Sequence, residues 1–366
     1  MIKANRDTTL DILKGIGIIL MVIGHSGCPQ WIHNVIYSFH MPLFFIASGW
    51  FFNEESLDYK KNYTQKKFKG LYLPYLKWSI IFLLLHDVFF FLGIINSSYG
   101  YKGTVEKWYD VNDLFSHFVN ITFRMTDYDG LIGTYWFMRS LFIGSLLFCF
   151  GSSIMRRITK RNTFASILIT TGLFCALGGA ISLLKMNIPL IPQGGYREMM
   201  AVSFIGIGYI MSKTIAWRSL KWVSLSFLIY LMCVILYPTA LKTSPVILDW
   251  MVIVLSGITG TMVMLYICRL ISKNKAVIGM ALAYIGKRTF YIMTFHFLMF
   301  KPASYLKICM NNLEWQEIGY HPVIPPAGDY WFWIVYTVTS ITFSLLLERI
   351  LFSMLAPKLK MIKYNK

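Results

Sequence analysis

Charge is what this 366-residue sequence has least of: 14% of it is Asp, Glu, Lys or Arg, where soluble chains average roughly 25%. With 56% hydrophobic residues beside that scarcity, a soluble globular domain is excluded. Acidic residues are the scarcer half, 17 against 35 Lys and Arg, for a formal net charge of +18. Nucleic-acid binders gather such an excess on one exposed face. Here the cations stand in short groups between long apolar runs, so no nucleic-acid partner is expected. Cysteines are few and scattered: Cys28, Cys149, Cys175, Cys233, Cys268 and Cys309 make no C-x-x-C pair. That removes a zinc ribbon and a disulfide framework, leaving small buried hydrophobes. There is no H-E-x-x-H, no Walker or Rossmann glycine pattern and no G-x-S-x-G elbow, so no metal, ATP, NAD or serine-hydrolase chemistry is indicated.

What the sequence does have is apolar length. A membrane-crossing helix takes about 20 mostly apolar residues, and ten stretches qualify: 10–28, 33–53, 71–95, 131–154, 163–184, 199–213, 222–238, 247–269, 284–305 and 329–354. The sixth and seventh are short, and the stretch 276–305 has the look of an interrupted helix. Lys3 and Arg6 before the first run resemble a secretory signal, but Lys14 interrupts the run and His25 precedes Ser26-Gly27-Cys28, so a retained first helix is expected. With the N-terminus in the cytoplasm, 24 of the 35 Lys and Arg fall on inner segments and 8 on outer ones, which predicts both termini inside. The expected architecture is therefore an all-α polytopic protein, one membrane-embedded domain over 1–366 without a soluble accessory domain. Its partner is the lipid bilayer of a bacterial inner membrane. The outer segment 96–130 combines Asp110, Asp113, Asp127 and Asp129 with Trp108, Tyr109 and Tyr128, a mixture suited to sugar contact as well as to a membrane edge. Oligomeric state is not legible, because lipid-facing and partner-facing apolar surfaces look alike.

Function is best sought in polar residues that hydrocarbon penalises, since a Lys, Arg or Asp at a helix centre costs about 2.5–3.5 kcal/mol on insertion scales. In the first span Lys14 and His25 are eleven residues apart, close to three turns and roughly 16 Å of rise, so both project from one face. Lys14 then suits an anionic group near the inner mouth, and His25 suits acid–base chemistry deeper in. The competing reading is a snorkelling Lys14 and a helix-capping His25. The second span brings His40 and Pro42 and reaches Ser48-Gly49; the fourth carries Trp136 and Arg139; the ninth carries Lys287, Arg288 and His296. His86-Asp87, adjacent in the third span, is expected to be a self-satisfied polar pair.

These residues resemble the acyltransferase 3 family of polytopic membrane acyltransferases, in the branch described as fucose 4-O-acetylase-like. The first span is similar to the family's opening: Asp11, then Lys14, then ten residues to Gly24-His25. Phe39-His40-Met41-Pro42-Leu43-Phe44-Phe45 with Ser48-Gly49 resembles its second signature. Lys69 through Pro74-Tyr75, Trp136-Phe137 before Arg139, and Tyr284 through His296 look like further family segments. Many members carry an R-x-x-x-R pair at the third helix, where this chain has Lys66, Lys67 and Lys69, which lack the bidentate fork of arginine. The resemblance implies transfer of an acyl group, usually acetyl, from cytoplasmic acyl-CoA (acetyl-CoA or another) to a sugar hydroxyl of a glycan or lipid-linked glycan. It implies His25 and Lys14 as catalytic, and Lys14, Lys69 and Arg139 as contacts to the donor. Asp11, His40, Ser48, Trp136, Arg139 and His296 become substrate contacts. The alternative from the residues alone is a transporter with the same polar groups lining its path.

Overall fold

The computed structural model describes residues 8–101, 104–189, 191–274, 277–326 and 328–364, the side chains of 352 and 354–364 excepted, and every regular element among them is helical. Five helices are long and apolar enough to cross a membrane: Lys60–Phe91, Gly130–Ile158, Thr163–Leu183, Ile247–Lys273 and Trp333–Leu351. Fourteen α-helices are described: α1 (Thr9–His25), α2 (Gln30–Tyr37), α3 (His40–Trp50), α4 (Lys60–Lys67), α5 (Leu73–Phe91), α6 (Val111–Val119) and α7 (Trp136–Ile158). The rest are α8 (Thr163–Leu183), α9 (Tyr196–Lys213), α10 (Leu220–Leu236), α11 (Ile247–Lys273), α12 (Val277–Gly286), α13 (Thr289–Asn311) and α14 (Trp333–Tyr364). α1 sits at the centre, packed on α3, α11, α12, α13 and α14, and a second group of α7, α8 and α9 joins it through α3 on α9.

Several expected spans are interrupted, each for a local reason. The stretch 33–53 is two helices, because Phe39 leaves helical geometry (φ −144°) and Pro42, in the first turn of α3, cannot donate a helical hydrogen bond to Ser38. The third span starts earlier than residue 71. α4 and α5 join through a π-helical turn, Phe68–Tyr72, whose wider winding accommodates Pro74 just inside α5. The break expected within 276–305 falls at Lys287-Arg288, between α12 and α13. There Gly286 and Gly15 let two backbones touch: a Cβ on Gly286 would strike the Asp11 carbonyl, and one on Gly15 the Leu282 carbonyl.

The segment 96–130 is not an open loop. α6 folds back along α5, where Tyr72 Oη donates to the Thr122 carbonyl at 2.7 Å and Tyr75 Oη to that of Ile121 at 3.3 Å. Val111, Phe115, Phe118 and Phe123 form its exposed side. Its acids have local partners: Asp110 and Asp113 close a capping box, Asp113 also meets Lys107 at 2.7 Å, and Asp129 caps the turn Gly130–Tyr135. His86 and Asp87 do not satisfy one another, since adjacent helical residues point 100° apart. His86 Nδ1 instead pairs with Asp129 at 2.9 Å, while Asp87 accepts from the Tyr109 amide.

Two buried lysines of α13 tie down the chain that follows it. Lys301 Nζ donates to the carbonyls of Ile318 (2.6 Å) and Tyr320 (2.9 Å), and Lys307 Nζ to that of Pro325 (2.9 Å) and to the Asp329 carboxylate. Lys307 is 1% exposed, so Lys307→Met takes the cation away from the Asp329 carboxylate and from the carbonyls of Pro325 and Ile324 in a site built for a positive charge. A loss of about 3–5 kcal/mol is expected, read as a lower unfolding midpoint of the detergent-purified protein.

Candidate functional site

α1 and α3 run in opposite senses, and that sets the site. Lys14, in the second turn of α1, lies 5.9 Å from the ring centre of Phe51, just past the end of α3. His25, the last residue of α1, lies beside Tyr37 and His40 at the other end. Between these ends a cavity of about 840 Å³ is lined by Lys14, His25, His40, Ser48, Lys69 and Trp136 among others. Lys69 belongs to the Lys14 end: its neighbours Gly70 and Leu71 share an adjoining cavity of about 560 Å³ with Ser48 and Phe51. No Asp or Glu lines the large cavity, while Lys14, Lys69, Lys77 and Arg197 do. It is therefore a cationic passage with imidazoles at one end.

The three imidazoles are held in one way. His40 Nδ1–H donates to the Ile36 carbonyl at 2.8 Å, and His296 Nδ1–H to that of Met293 at 2.8 Å. Because a carbonyl only accepts, the proton in each neutral ring sits on Nδ1 and Nε2 keeps its lone pair. His25 Nδ1 lies 3.2 Å from Tyr37 Oη, which is 3.4 Å from the Gly24 carbonyl. Both contacts are made together only when Nδ1–H donates to Oη and the phenol donates onward to the carbonyl. His25 Nε2 is then a free base as well. His321, from the segment after α13, packs on Phe297 and is half-buried; desolvation first, then Lys301 and His296, push its pKa down to about 3, so it is neutral near pH 7.

Six of the nine residues singled out in the sequence share the cavity wall; three stand behind it. Asp11 pairs with Lys14 at 2.9 Å and orients it. His296 is fully buried with its ring 5.5 Å from that of His25, and its Nε2 has no hydrogen-bond partner. Arg139 is the correction: it is fully buried and donates from Nε to Glu198 at 3.0 Å and from Nη2 to Gln193 at 3.1 Å, so it holds the bundle rather than facing the passage. Glu198, which also accepts from Ser140 Oγ at 2.8 Å, escaped notice because it lies one residue before the span expected at 199–213. Tyr37, Lys77, Trp78, Tyr101 and Arg197 also line the wall and were not singled out; Lys77, a cation inside the span expected at 71–95, and Arg197, a cation at a span edge, carried a signal. Among the described residues no group of three or more His, Cys, Asp or Glu is placed to hold a metal ion.

Residues 7–349 match the family model described as an acyltransferase domain. Two curated relatives are each 26% identical: Nodulation protein NolL of Sinorhizobium fredii (strain NBRC 101917 / NGR234) over 227 residues, and Nodulation protein NolL of Mesorhizobium japonicum (strain LMG 29417 / CECT 9101 / MAFF 303099) over 230. The matches cover 58% and 59% of this chain and 50% of each relative, so the chain spans about half the length of the curated relatives it matches. No solved structure matches it. With a match over nearly its whole length, this chain belongs to the acyltransferase 3 family.

Proposed function

We propose that this protein is a multi-pass membrane O-acyltransferase that moves an acetyl group from acyl-CoA to a sugar hydroxyl of a glycan or lipid-linked glycan. The observation that carries the reading is the cavity itself, which has Lys14 and Lys69 at one end and His25 and His40 at the other. Acyl-CoA is a polyanion with a thioester tail; its phosphates match the lysine end, where Asp11 holds Lys14 from behind and no carboxylate stands on the wall of the large cavity. His25 Nε2 takes the proton of the acceptor hydroxyl as its oxygen bonds to the thioester carbonyl carbon. The carbon–sulfur bond then breaks, and His25 returns its proton to the departing thiolate. Tyr37 and the Gly24 carbonyl hold the ring so that Nε2 is the basic nitrogen. His40, on the cavity wall with its Nε2 lone pair, orients the acceptor, and His296, behind the wall, backs the His25 ring. The charge distribution supports ten membrane passages with both termini in the cytoplasm, and the bacterial relatives support a bacterial inner membrane.

Purified protein given labelled acetyl-CoA should transfer label to a glycan acceptor or release CoA slowly to water. Accumulation of solute in proteoliposomes without donor consumption would establish the transporter reading instead. Tyr37→Phe removes the relay yet keeps the ring, and kcat should fall about tenfold, the worth of one hydrogen bond, with the KM for acetyl-CoA unchanged.

A further inference from the structure

The end of the cavity away from Lys14 holds a cation that the proposed donor chemistry does not use. Arg197 lies in the first turn of α9, whose far end is fixed near the end of α3 by Lys213 on Glu54 at 2.7 Å. Arg197 is therefore at the His25 end. Its guanidinium stacks on Trp136, 3.9 Å from the ring centre, and both line the cavity with Tyr101. Its Nη1 donates to Gln193 Oε1 at 3.2 Å, the oxygen that also accepts from Arg139, and its buried Nε has no hydrogen-bond partner. Gln193 reaches between the two guanidiniums from a turn in which Gln193, Gly194 and Gly195 all have left-handed φ, 58°, 77° and 80°. An L side chain at φ 58° is uncommon outside such built turns.

Charge completes the case. Glu198 is bonded to Arg139, and among the described residues Arg197 makes no ion pair. Two guanidiniums thus face one carboxylate, leaving one positive charge directed at a passage with no acid on its wall. A half-buried cation with an unmatched donor is stabilised by an anion and left desolvated by a neutral group. Planar guanidinium donors suit carboxylate or phosphate oxygens, and the adjoining aromatic faces suit a sugar ring.

We propose that Arg197, stacked on Trp136, forms an acceptor subsite for a sugar carrying an anionic group, a carboxylate or a phosphate, beside the hydroxyl that meets His25. This rests on the acyltransferase reading for the identity of the occupant. Its test is a binding measurement that does not depend on turnover. The full-length protein in phosphatidylcholine nanodiscs is titrated with octyl β-D-glucoside, octyl β-D-glucuronide and octyl β-D-glucoside 6-phosphate. The wild type should bind one or both anionic glycosides at least about tenfold more tightly than the neutral one. Arg197→Ala should erase the preference, Arg197→Lys should keep part of it, and Arg124→Ala, removing an exposed cation from the turn that follows α6, should keep all of it. Equal binding of the three glycosides, a preference that survives in Arg197→Ala, or displacement of the anionic glycoside by phosphatidylglycerol as a plain headgroup ligand would each overturn the subsite. Acetyl-CoA consumption by the same preparation is scored separately, so loss of the subsite and loss of the enzymatic reading are distinct results.

Discussion

His25→Ala will reduce acyl transfer by about 10²–10⁴, the usual worth of a positioned general base, while the protein still inserts and purifies. The size follows from what the ring does. A sugar hydroxyl is a poor nucleophile at neutral pH, and His25 lines the cavity that Lys14 also reaches, with its Nε2 left basic by the Tyr37 contact on Nδ1. Its near neighbour His296 is behind the wall and fully buried, so it cannot replace the lost base without moving α13. Folding should be spared because the ring is only half-buried and its one polar tether is Tyr37. Label transfer from acetyl-CoA, with size-exclusion behaviour as the folding control, measures both. Wild-type rates in a well-folded His25→Ala protein would remove His25 from the chemistry.

Arg139→Leu should destabilise the bundle by about 3–5 kcal/mol. The substitution leaves Glu198 charged, 1% exposed and bonded only to Ser140, at the junction of α7 and α9. It also frees Gln193, and with it the turn that aims Arg197. The pair Arg139→Leu with Glu198→Met removes both charges and should recover most of the lost stability, because an apolar pair of similar volume serves as well in a low-dielectric interior. Unfolding midpoints of the three proteins in one detergent test this. A single mutant as stable as the wild type would show that Glu198 does not depend on Arg139.

The contrast between these residues bears on what was legible. Both Arg139 and His25 are polar groups in apolar runs, and the insertion penalty marks them equally. It does not tell a group facing a cavity from one neutralised by a neighbour on another helix. For Lys14 and His25, spacing on one helix was enough, because eleven residues bring the face round again. For Arg139 the partner is 59 residues away, and pairing over that distance is a property of packing. His86 makes the same point: its sequence neighbour Asp87 was the obvious partner, and Asp129, 43 residues on, is the real one. Two of the helices that carry the site are short for a membrane span. α1 has 17 residues and α3 has 11, while α9 and α13 enclose Glu198, His296, Lys301 and Lys307.

By itself the sequence determined the solvent and the element type: a chain this apolar must satisfy its backbone internally in lipid, and among its long runs only helices do so. It also determined which residues are costly enough in hydrocarbon to need a purpose, and through one helical repeat it placed Lys14 and His25 on a common face. Tertiary structure alone decided which costly residues face one another and which face the passage. Ion pairing and hydrogen bonding act over about 3 Å, and only the packing of helices distant in the chain brings groups that close. That packing put Arg139 against Glu198, left the Nε2 of His25 free, and turned Arg197 toward a cavity that holds no acid.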